Sequence, residues 1–222
     1  MPNWRLANTA RKTIADLVHK LSDEMPSIGQ ASISDLEPIV AQRIAGIQLS
    51  GLAVRSAGAV LALVGAGYEP EAAGPLRRII EAVLRIRAVI DDPSGEHAKQ
   101  WLSGRPQGKV ERLAQRYARE EELRNLSVHA HADTRALLMV MIPPGWNLRH
   151  PEDGYFDIRP SRDIHRAEEI LYATAYETGS LAGALAELFT VTVEIPQWLS
   201  EELIKARDCR RQAHENRERA KQ

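Results

Sequence analysis

The sequence predicts an all-α protein, a multi-helix up-and-down bundle with room for only a short β-hairpin within 137–160. Three observations predict it. Apolar residues recur at i, i+3, i+4 and i+7 in nearly every long segment, the period of one helix face. Aromatic residues make up 5% of the chain against 44% hydrophobic residues in total, so the core has to be built from Leu, Ile, Val and Ala, as in helix bundles. The alternation of strand-like and helix-like segments that marks a parallel sheet is missing. A length of 222 residues fits one fairly large domain with appendages. The pattern divides into an N-terminal docking helix within 1–30, a helical bundle over 31–195 and a charged C-terminal helix or tail over 196–222.

The first helix follows from the stripe Leu6, Ala10, Ile14, Leu17, Val18 and Leu21, which Pro26 and Gly29 terminate. Ser34-Asp35-Leu36-Glu37 has the S-x-x-E spacing of a capping box, with Pro38 in the first turn, and predicts a long helix over about 36–66. Gly46, Ser50, Ala53, Ala57 and Gly58 give that helix small side chains for close approach. Leu76, Ile79, Ile80, Val83, Leu84 and Ile90 predict a helix at about 75–91, stopped by Asp91-Asp92-Pro93. A short helix around 96–102 precedes the Gly104-Arg105-Pro106-Gln107-Gly108 break, and one continuous helix is expected from 109 to about 141. Pro143-Pro144-Gly145 and Pro151 to Gly154 mark a loop excursion, with candidate strands at 138–142 and 155–158. Helical periodicity resumes over 162–190, where Ala175, Gly179 and Gly183 are spaced for tight packing. The apolar content of the last helix fades after Ile204, so its last residues are expected to be frayed or extended.

A net charge of −1 gives no global field to hold nucleic acid or an anionic membrane, so any polyanion site has to be local. The one cysteine, Cys209, excludes an internal disulfide framework. The apolar run at 56–67 is shorter than the ~20 residues of a bilayer span. The opening residues also lack the apolar core of a signal peptide. These features predict a cytoplasmic protein with no membrane partner, no metal and no cofactor.

Chemistry is concentrated in Arg124-Asn125-Leu126-Ser127-Val128-His129-Ala130-His131-Ala132-Asp133. On a helix Arg124 and His131 are nearly eclipsed, while Arg124 and His129 stand ~140° apart. Arg124, Ser127 and His131 therefore share one face and Asn125 and His129 another. An Arg followed by a polar residue and then by His after four to six positions resembles the signature of the HEPN superfamily of all-α domains. Arg77-Arg78-Ile79-Ile80-Glu81, with Ser127-Val128-His129-Ala130-His131 downstream, is similar to a family of bacterial helical domains carrying Arg-x-x-x-Glu and Ser-x-x-x-His. The likeness covers roughly 36–188.

The resemblance implies a metal-independent endoribonuclease of the toxin or phage-defence type, cutting single-stranded RNA at a homodimer cleft, with an antitoxin or other protein partner. It makes His131 the general acid/base, with His129 second, and Arg124 the phosphate clamp, with Asn125 and Ser127 beside them. Arg77 and Glu81, at i, i+4, form a supporting ion pair. Independently, Lys109, Arg112, Arg116 and Arg119 fall at i, i+3, i+7 and i+10, a basic stripe able to track a phosphate backbone; Arg116 and Arg119 are its candidate substrate contacts.

Two other readings fit the same letters. Arg124 can pair with Glu120 or Glu121 while the histidines merely pack, which describes a non-catalytic helical interaction or nucleotide-binding module. His129-Ala130-His131-Ala132-Asp133 also matches the H-x-H-x-D start of a zinc hydrolase motif. Against zinc, Thr134 stands where the next histidine belongs, the preceding hundred or so residues are helical, and no Gly-rich turn follows.

Overall fold

The computed structural model describes residues 2–25, 32–104, 109–132, 164–193 and 195–220. Among these residues there are eight α-helices and no strand. They are α1 (Pro2–Asp23), α2 (Pro38–Ala66), α3 (Glu69–Ile90), α4 (Glu96–Leu102), α5 (Val110–Arg116), α6 (Glu120–Ala132), α7 (Ile164–Phe189) and α8 (Gln197–Ala220), with a single 3-10 turn, Ile33–Asp35, ahead of α2. The fold is the expected all-α bundle. The hairpin expected within 137–160 lies outside the described residues.

The bundle is organised around α2, which packs against α1, α3, α4 and α7. A helix covered on several sides needs apolar or small residues around most of its circumference, and Ala41, Ala45, Leu49, Ser50, Ala53, Ala57 and Val60 are all buried. Directions follow from named neighbours. Leu6 and Leu61 share a cluster and Arg11 lies beside Gly58, so α1 runs against α2. The Gln42 side chain reaches the carbonyls of Val89 and Asp92, so α3 does too. Gly46 meets Leu188 while Leu61 shares its cluster with Leu171, which sets α7 in the same direction as α1 and α3. α8 folds back along α7, with Leu203 on Gly179.

α2 is long and apolar enough to cross a membrane, being longer than the 56–67 run alone suggested. In this fold part of that apolar surface is buried against its neighbours, through Ala41, Ala45, Leu49, Ala53, Ala57, Val60 and Leu61. Small residues do the work expected of them at Gly46, where an added Cβ would stand 2.5 Å from Leu188 Cδ1, and at Gly179, where it would stand 2.5 Å from Leu203 Cδ1. Gly183 departs from the expectation: it is exposed, and nothing described lies near it.

Element boundaries differ from the sequence expectation in four places. The Ser34 capping box does not form, because the residue before a proline is driven to extended backbone and Glu37 (φ −59, ψ 143) becomes the boundary, with Pro38 opening α2. Ser34 instead sits in the 3-10 turn, its hydroxyl 2.8 Å from that of Ser32. α3 starts at Glu69, not at 75, with Pro70 in its first turn and Pro75 inside it. α8 continues to Ala220 on residues with good helix propensity and pairs such as Glu215–Arg219. Finally, the continuous helix expected from 109 is broken at 117–119 into α5 and α6.

Candidate functional site

The break that separates α5 from α6 decides where the basic residues go. Ala118 takes the left-handed backbone (φ 54), its N–H donates to Gln115 O at 3.1 Å, and the Arg119 N–H donates to Ala114 O at 2.8 Å. These are the two bonds of a Schellman end, built here without glycine. Tyr117 donates its hydroxyl to Asp91 at the end of α3 (2.7 Å), and Arg116 reaches the same carboxylate at 3.3 Å while stacking over the Tyr117 ring. Burial and then the Asp91 carboxylate push the Tyr117 hydroxyl up to about 12.

Arg119 is corrected by this geometry. Expected on a solvated stripe, it turns inward and is held between Glu122 of α6 and Glu177 of α7, with Nη1 donating to Glu177 Oε2 at 2.8 Å. Burial alone disfavours its charge, but hydrogen bonding and attraction from Glu177, reinforced by Glu122, outweigh it and raise its pKa. A guanidinium so engaged cannot take a phosphate without stranding Glu177, whose side chain is 1% exposed. The stripe is therefore interrupted. Lys109 and Arg112 are exposed, while Arg116 is committed to Asp91.

Glu177, Glu122, Asp91 and Tyr117 are the residues that sequence reasoning missed. A signal existed for Glu177, which occupies the apolar stripe Ile170, Ala173, Thr174, Leu181, Ala184; a carboxylate on such a stripe calls for a buried cation. The expected Arg77–Glu81 pair is present, Nε to Oε1 at 2.8 Å, and Arg77 also lies 3.5 Å from Glu111 of α5.

α6 itself is set on α3 by Leu123, which is buried, and Leu126, which is partly so. Arg124 and Asn125 are exposed. Arg124 has no hydrogen-bond or ion-pair partner among the described residues, neither Glu120 nor Glu121 included. The helix is unbroken to Ala132, so positions 124 and 131 are in register on one face. The backbone at Ser127, His129 and His131 belongs to α6; their side chains, with Asp133, lie outside the described residues. Groups of three or more His, Cys, Asp or Glu placed to hold a metal do not occur among the described residues.

Compared with protein families, with curated proteins and with solved structures, the chain matches none.

Proposed function

We propose that this chain is an HEPN-like, metal-independent endoribonuclease of the toxin or phage-defence type, acting as a homodimer on single-stranded RNA. One observation carries the reading: Arg124 is exposed and unneutralised among the described residues, on an unbroken helix that puts position 131 on its face. Arg77, Arg87, Arg116 and Arg119 are each matched to carboxylates. A free guanidinium can neutralise the oxygens of a phosphorane, and an imidazole in register with it can move the proton of the attacking 2′-OH. The 2′-oxygen bonds to phosphorus, the bond to the 5′-oxygen breaks, and that oxygen takes up a proton.

The test is cleavage of single-stranded RNA in EDTA, leaving a 2′,3′-cyclic phosphate, with DNA inert because it lacks the nucleophile. His131→Ala and Arg124→Ala should each slow cleavage ~100-fold or more with little change in Tm. Absence of cleavage above a mock preparation would end the reading, and cleavage surviving in the purified double variant would assign it to a contaminant.

A second reading, a non-catalytic helical module that binds a protein partner, is favoured by the ion pairs that consume the stripe at Arg116 and Arg119. It expects no cleavage, and a loss of partner affinity in place of a loss of rate when Arg124 is replaced.

A further inference from the structure

We propose that the α5–α6 elbow is a two-state element, switching between the bent form of the structure and one straight helix from Val110 to Ala132. The local sequence asks for the straight form. Between Lys109 and Ala132 there is no glycine or proline, and the break falls at Ala118, the residue type with the highest helix propensity. In the bent form that alanine is held at φ 54, where its Cβ crowds the carbonyl and where helices ordinarily place glycine.

Tertiary contacts ask for the bent form. Tyr117 and Arg116 tie the elbow to Asp91, Glu111 ties α5 to Arg77, and Val110 and Ala114 are buried beneath it. Local and global preferences thus oppose one another at a single residue, the condition for two arrangements of similar free energy. α6 is the longer helix and is anchored through Leu123, Leu126 and the Arg119 clamp, so α5 is the part that swings. Straightening releases Asp91 and bares the strip of α3 that α5 covers. A ligand or partner that takes that strip would draw the population toward the straight form. The switch is independent of what Arg124 and His131 do.

The full chain tests it, with nitroxide labels at Arg112→Cys and Asn125→Cys, both exposed positions, in a Cys209→Ser background. In a straight helix the labelled backbones lie roughly 20 Å apart along the axis, and in the bent form they are closer. Dipolar spectroscopy should find the short distance dominant in the parent. Tyr117→Phe with Asp91→Asn should raise the ~20 Å component fivefold or more, and Ala118→Gly should lower it by a comparable factor, since glycine accepts the left-handed backbone. A single short distribution, identical in both variants, would overturn the proposal. So would faster amide exchange in α5 with no long component, because that is fraying and not straightening. Should the double variant not fold, Tyr117→Phe alone carries the comparison.

Discussion

Ala118 and Thr190 hold the left-handed backbone, at φ 54 and 53, just past the ends of α5 and α7. Thr190 is the less comfortable, since a β-branched side chain rarely tolerates that region. Relief of about 1–2 kcal/mol, less the greater unfolded-state freedom of glycine, leaves Thr190→Gly more stable than the parent by about 0.5–1 kcal/mol, which urea unfolding will read. Gly95 is the opposite case. Its φ is 69 and an added Cβ would stand 2.7 Å from Pro38 Cα, so Gly95→Ala is expected to cost about 2 kcal/mol or more; a neutral result would mean that the start of α2 yields easily. Asp92 supplies a pH dependence. Burial disfavours its charge, but hydrogen bonds from the His97 amide, the Ser94 hydroxyl, the His97 ring and the Ser94 amide overcome that and bring its pKa to about 2. Because the folded value is depressed, its contribution is complete above the unfolded value of 3.8 and disappears as pH falls toward 2. Asp92→Asn should therefore be destabilising by about 1–2 kcal/mol at pH 6, allowing for solvent screening, and close to neutral near pH 2. A gap that stayed constant with pH would rule that carboxylate out as the cause.

Between elements, the first turns of α2 do more than bury apolar surface. Gln42 Nε2 donates to Val89 O (2.9 Å) and Asp92 O (2.6 Å), closing the end of α3, and the next residue, Arg43, donates Nε to Leu188 O (3.1 Å) and lies over Phe189, closing the end of α7. Gln42→Ala leaves buried carbonyls unmatched and should cost about 2–3 kcal/mol, with exchange protection lost first in the last turn of α3. A cost under half that, with uniform protection, would show that water replaces the amide. This level also shows what a sequence can and cannot disclose. The helices were legible because each carries its own apolar period, and α4 was legible from its flanking breaks. Gln42 and Arg43 were not, because a cap contributed from 47 or 145 residues away leaves no local pattern. The break at Ala118 was illegible for a related reason: its cause is Asp91 and the burial of α5, while the local letters argue for helix. Of the candidate site, the Arg77–Glu81 pair could be read in advance from its i, i+4 spacing. The inward turn of Arg119 could not, since it depends on a glutamate 58 residues away.

For the molecule as a whole, the proposed shared cleft requires two copies. Light scattering at tens of micromolar should give twice the 24.7 kDa of the single chain, and a strictly monomeric result would remove the composite site while leaving the bundle intact. The order of assembly follows from the place of α7. Its Leu188 fills the notch at Gly46, so the apolar hub near the start of the chain is completed by a helix made long afterwards. At the usual pace of synthesis, roughly 6–25 s separate the emergence of residue 66 from that of residue 189. During that interval the nascent chain shows the ribosome's surroundings an uncovered strip of α2, with only α1, α3 and α4 to shelter it. Translation pausing or a nonsense codon anywhere between those points would leave a product that chaperones must hold or proteases remove.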